Sequence, residues 1–134
     1  MSIPSQAPTG PSVPASRDPH RIEPLIVYAC FTEKTGASEQ EIEKVIPAHK
    51  AWAAEREAAG DIFIAGPFLT EDLGYAGEGL IAFRASSLAV AESLAATDPM
   101  HASGVRRFRI RPWRLNEGLI HFTIAMSQRG FGIG

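Results

Sequence analysis

Residues 25–31 (LIVYACF) form a short apolar run rich in β-formers that stops at the polar residues 32–38. A run of that kind predicts a strand covered on both faces. Downstream the period lengthens, with Ile42, Val45, Ile46, His49 and Ala53 recurring at the three- and four-residue intervals of one helix side. Ser38 stands three residues before Glu41, the spacing of a capping box, and marks the start. Pro47 lacks an amide proton and crowds the preceding turn, so the helix either kinks there or begins there. Gly60 supplies its stop. Residues 62–65 (IFIA) then predict a second strand, closed by Gly66 and Pro67.

Residues 71–79 carry Gly74, Gly77 and Gly79 among polar neighbours, which predicts a hairpin-like connection into a third strand at residues 80–83. Ser86 and Ser87 can cap a second helix whose Leu88, Ala91, Leu94 and Ala95 share one stripe. Pro99 disfavours helix at Asp98 and ends it there. Across residues 105–115, Phe108 and Ile110 alternate with Arg107, Arg109 and Arg111, the period of a half-exposed strand, and Pro112 places that strand at a sheet edge. The order βαββαβ is the split arrangement of α+β ferredoxin-like domains, a four-stranded antiparallel sheet with two helices on one face. Three of the strands are apolar on both sides, yet two helices shield one side only. The economical cover for the other is a second copy of the chain, which predicts a homodimer of the α+β barrel kind.

Beyond Gly118, the alternation of Ile120, Phe122, Ile124 and Met126 predicts an extra strand-like segment that pairs with the exposed edge of its own sheet or of the partner's, with a loose glycine-rich end. Residues 1–23, rich in Pro, Ser and Ala, read as a flexible tail. The folded domain then spans 24–118 and a C-terminal extension 119–134.

Composition narrows the function classes. A formal net charge of -2 and a pI near 6.1 give no pull toward nucleic acid or an anionic membrane surface. No apolar run approaches the roughly 18 residues of a spanning helix, and no secretory signal opens the chain. The single Cys30 cannot close an internal disulfide, so a cytoplasmic setting is the simplest expectation. His20, His49, His101 and His121 lack ligand spacing, and there is neither a phosphate loop nor a nucleophile elbow, so no metal or cofactor is implied. The three arginines of the last strand read as a solvated face.

His49 sits on the apolar stripe of the first helix, where a histidine serves either as a proton acceptor in a cavity or as a satisfied core residue. Asp98 either fixes the tautomer of that ring or caps the turn that Pro99 opens. Trp52, one turn beyond His49, walls a pocket or fills the core. Gly66 and Pro67 shape a pocket mouth or make a turn.

Three stretches resemble the YCII-related (YciI-like) family: Pro47-Ala48-His49 with Trp52, then Ala65-Gly66-Pro67, then Asp98-Pro99 with Gly104-Val105 and Arg111-Pro112-Trp113. The resemblance implies a small dimeric α+β barrel, with enzymes among its members that use a His and an Asp at a pocket. Those roles fall on His49 and Asp98; Trp52, Gly66 and Pro67 are expected, from their own positions along the chain, to line the substrate site. The family often has Arg before the Pro-Ala-His, where this chain has Ile46. The implied activity is a cofactor-independent proton transfer or elimination, of dehydrochlorinase or isomerase type, on a small, partly apolar substrate. The alternative is a non-catalytic ligand-binding or protein-interaction dimer.

Overall fold

The computed structural model describes residues 25–128 and 130–133, so the N-terminal tail expected over residues 1–23 lies outside the described residues. The main body runs β1 (Leu25–Lys34), α1 (Glu39–Ala58), β2 (Ile62–Leu69), β3 (Tyr75–Phe83), α2 (Leu88–Ala96), a single turn α3 (Pro99–Ala102) and β4 (Arg106–Leu115). The four strands form one antiparallel sheet in the order β2-β3-β1-β4, the ferredoxin-like arrangement that the βαββαβ pattern predicts. Both long helices pack on one side of it.

Alternation along β1 divides the sheet into two faces. Tyr28 and Cys30 belong to the helix side, where Cys30, Ile81 and Phe83 meet Trp52, Ala91 and Ala95 in one closed cluster. Phe108 and Ile110 of β4 join it from the rim, opposite Thr32 and Cys30. Val27, Ala29 and Ala82 point the other way and are also buried. Arg107 and Arg109 lie on that second side, both bonded to Glu33, and the Arg109 guanidinium rests 4.6 Å from the centre of the Phe31 ring.

Four expectations need correction. The first helix does not restart at Pro47 but runs unbroken through it. Pro47 and Glu43 are both exposed, so water can serve the Glu43 carbonyl that the proline leaves without an amide partner. Its start is the expected one, with Ser38 Oγ accepting from the Glu41 amide at 3.1 Å and the Glu41 carboxylate accepting from the Ser38 amide at 2.9 Å. Second, β2 is not closed by Gly66 and Pro67. It continues to Leu69 because it is an edge strand, where a missing amide proton costs the ladder nothing on its open side. Third, the connection into β3 is shorter than residues 71–79. The chain turns between Thr70 and Gly74, closed by the Thr70 amide donating to the Gly74 carbonyl at 2.8 Å, and β3 begins at Tyr75.

The fourth correction concerns the C-terminal extension. Its strand β5 (Phe122–Ala125) pairs with β6 (Gly130–Ile133) in a separate two-stranded hairpin, rather than with the edge of its own four-stranded sheet, so the glycine-rich end is part of a strand. Leu119, Ile120, Phe122 and Met126 remain exposed. Among the described residues, no helix is long and apolar enough to cross a membrane.

Candidate active site

α1 presents His49 and Trp52 three residues apart, hence on neighbouring turns of one side. Trp52 is the deepest residue of the helix, at 8% exposure. The stripe read from the sequence (Ile42, Val45, Ile46, His49, Ala53) is half-buried beside it. Opposite this side the chain leaves α2, extends for Asp98, and enters α3 at Pro99, whose fixed φ suits a first helical position.

Asp98 is almost wholly buried, yet its charge is well served. Its Oδ1 accepts from the Met100 amide at 2.9 Å, the N-cap contact, and from His49 Nδ1 at 2.8 Å. Asp98 makes both contacts at once: the backbone contact fixes the carboxylate from the α3 side, and the fixed oxygen then receives the imidazole. Because an ionised carboxylate can only accept, the shared proton belongs to Nδ1, and the neutral ring keeps its lone pair on Nε2. Nε2 has no hydrogen-bond partner among the described residues, and the His49 side chain is 31% exposed. The ring lies stacked beside the Trp52 indole, centroids 6.0 Å apart and planes inclined by 25°.

His101 shows what a fully committed histidine looks like in the same domain. Its Nδ1 donates to the Ala95 carbonyl at 2.7 Å, and its Nε2 accepts from the Thr32 hydroxyl at 3.1 Å. Its ring leans on Phe108. Two occupied nitrogens leave nothing for chemistry, whereas His49 has one nitrogen fixed and one open.

Charge around the pair has a second visible effect. The Cys30 thiol is pushed up from its ordinary 9.0 to about 12, first by burial and then by the negative charge of Asp98. Cys30 is thus a neutral filler of the core rather than a nucleophile. Among the described residues, no three His, Cys, Asp or Glu side chains come together as a metal site would require. A separate cleft of about 300 Å³, lined in part by Lys34, Ile42, Tyr75 and Arg106, includes neither His49 nor Asp98.

The other residues named from the sequence are placed less tightly. Trp52 is a core residue whose indole also borders His49, and it meets Phe83 edge-on at 6.2 Å between centroids. Gly66 and Pro67 lie exposed on β2, and no hydrogen bond joins either to His49 or Asp98. A methyl group added at Gly66 would meet nothing within 4 Å. The close backbone approach between these strands is at Gly79, where an added Cβ would stand 2.8 Å from the Gly66 carbonyl oxygen. Sequence reasoning missed Thr97. It sits immediately before Asp98, and its hydroxyl accepts from the Trp52 indole N–H at 2.8 Å. The signal was a hydroxyl residue adjoining Asp-Pro at a helix end.

An antiparallel ferredoxin-like sheet with a His–Asp pair held between α1 and the α2–α3 junction defines the class of this domain as a small α+β fold with a polar pair at the edge of its helix layer. The YCII-related domain family matches residues 26–114, most of the described body, and the chain belongs to that family. Among solved structures, it is similar to 5-chloro-2-hydroxyhydroquinone dehydrochlorinase (TftG) from Burkholderia phenoliruptrix AC1100, in complex with 2,5-dihydroxybenzoquinone. The identity is 21% and the TM-score 0.53, over 69% of this chain and 95% of that one, a likeness of fold. No curated protein sequence matches the chain.

Proposed function

We propose that the chain is a cofactor-independent enzyme that transfers a proton within, or eliminates a small leaving group from, a small and partly apolar ring compound. His49 is the general base and Asp98 its orienting partner. The observation that carries this reading is the asymmetry of the His49 ring, with Nδ1 tied to a buried carboxylate and Nε2 without a partner among the described residues. In an elimination, Nε2 takes a proton from a substrate O–H or C–H. The electron pair left behind forms a new C=O or C=C bond, and the leaving group departs with the pair of the bond that breaks. Asp98 stabilises the imidazolium formed in that step, and the proton later returns to water. No oxidant or reductant enters the balance.

Two features bear on the substrate. Ile46, half-buried one turn before His49, offers an apolar wall where the family often has a cation, which favours a neutral or weakly acidic ring over a strongly anionic substrate. The fold neighbour is a dehydrochlorinase with an oxygenated six-membered ring bound, and a halide is a suitable leaving group for the step above. We further propose that the chain acts as a homodimer joined through the sheet face opposite the helices, as its exposed Ile64 and Trp113 favour.

A panel of chlorinated and unchlorinated hydroxyhydroquinones, followed by chloride release and by the appearance of quinone absorbance, tests the reading. His49→Gln is expected to lower turnover by about 10² to 10⁴ with the fold intact. Undiminished turnover in that variant would rule His49 out as the base. The competing reading, a binding module in which Asp98 serves only as a cap, draws on the Met100 contact. It predicts ligand binding without chemical change in both the wild type and the variant.

A further inference from the structure

Thr97 and Asp98 are adjacent in sequence, and each holds one of the two rings that α1 presents. Asp98 Oδ1 receives His49 Nδ1, and Thr97 Oγ1 receives Trp52 Nε1. The Thr97 hydroxyl is itself oriented, since it donates to the Leu94 carbonyl at 2.6 Å, the last turn of α2. With its proton spent on that carbonyl, its lone pairs are the groups left to face the indole N–H. The indole is therefore pinned by a hydrogen bond at its nitrogen and by the edge contact with Phe83, and its face borders the imidazole. A hydrogen bond through Nδ1 alone leaves a ring free to swing about that bond. A neighbouring ring that cannot move removes the freedom.

We propose that Thr97 is a positioning residue for His49. By locking the Trp52 indole, it fixes the plane of the imidazole and the direction of its open Nε2. The α2–α3 junction is then a two-point clamp, with Asp98 setting the tautomer and Thr97, through Trp52, setting the tilt. Rigid platforms of this kind matter because a misplacement of about 1 Å at the reacting atom can cost on the order of 10² in rate. The inference rests on His49 being the base, but it is tested without turnover.

The experiment is nitrogen-15 NMR of the histidine and indole groups in full-length wild type, Thr97→Val, Thr97→Ser and Trp52→Phe. Thr97→Val keeps the volume and removes the acceptor. It is expected to move the Trp52 indole N–H signal toward its solvent-exposed position and to broaden or split the His49 ring signals. Thr97→Ser, which retains the hydroxyl, is expected to restore the wild-type pattern, a rescue that loss of packing alone would not produce. Trp52→Phe, lacking the N–H, is expected to alter the His49 signals as Thr97→Val does, and Thr97→Ala, which also lacks the acceptor, supplies the answer should Thr97→Val not fold. Adding Thr97→Val to Trp52→Phe should then change His49 no further, as residues acting in one chain of contacts are non-additive. Wild-type His49 signals in folded Thr97→Val or in folded Trp52→Phe would overturn the proposal. An unchanged turnover in His49→Gln would instead remove the base reading and leave the clamp to be decided by the spectra.

Discussion

On the helix side of the sheet, Cys30, Ile81 and Phe83 meet Trp52, Ala91 and Ala95, and every large side chain of that cluster is covered within one chain. On the other side the centre is made of small residues. Val27, Ala29 and Ala82 are at most 4% exposed, but Ile64, paired with Ala82, is 60% exposed and Trp113, paired with Val27, is 43% exposed. The strands are the same, and so is their alternation. The difference is that one face is closed by large residues interlocked with helices, and it is on that side that a buried carboxylate is held by an amide and an imidazole at once. The open face is apolar at its centre and unfinished at its margin, which suits a second layer rather than a catalytic pair.

Removing a large side chain from the closed face should have the greatest effect. Phe83→Ala, at a fully buried position that also supports Trp52, is expected to destabilise the fold by about 3–5 kcal/mol in denaturant unfolding. A cost below about 1 kcal/mol would mean that the helix face is not the tightly packed one. Next comes the strand approach behind the open face. Gly79→Ala would force a Cβ against the Gly66 carbonyl and Pro67, and a loss of about 1–3 kcal/mol is expected, while Gly66→Ala should be nearly neutral.

Ile64→Lys alters the other face. At a 60% exposed position it should change the stability of the folded chain by no more than about 0.5 kcal/mol, yet shift sedimentation toward monomer. A dimer unaffected by this charge, or a wild-type chain that sediments as a monomer, would contradict the proposed interface. The smallest effect is on pH dependence. Because Cys30 has its folded value raised from 9.0 to about 12, folding favours the neutral thiol. That contribution is complete below pH 9.0 and is lost as the pH climbs toward 12, so alkylation of native Cys30 should stay slow at pH 9.0 while the unfolded chain reacts readily. Rapid modification of the folded protein at that pH would show that the core around Asp98 is open.

Much of the fold was legible because its strongest signals are local. The dense run at residues 25–31, the Ser38–Glu41 capping box and the alternation of Phe108 and Ile110 with arginines each reflect one element's own periodicity. The first half of β3 was not, because Gly77 and Gly79 carry no apolar pattern and owe their strand to pairing with a neighbour. The same is true of β2 beyond Pro67, whose extension depends on its being an edge. The His49–Asp98 pair is 49 residues apart in sequence, so periodicity alone could flag each residue but not their meeting. The family resemblance joined them. Thr97 was passed over for a related reason: its contact with Trp52 is fixed by where α2 ends against α1, and the one signal, a threonine before Asp-Pro, reads equally as an ordinary helix terminus.

The most direct test is a crystal structure of the full chain soaked with a hydroxylated benzoquinone, a ring of the class proposed as substrate. A ring oxygen is expected within about 2.6–3.2 Å of His49 Nε2, with Nδ1 still on Asp98 and the indole of Trp52 unmoved. A ring bound away from His49, or an Nε2 turned into the protein and capped by another side chain, would contradict it.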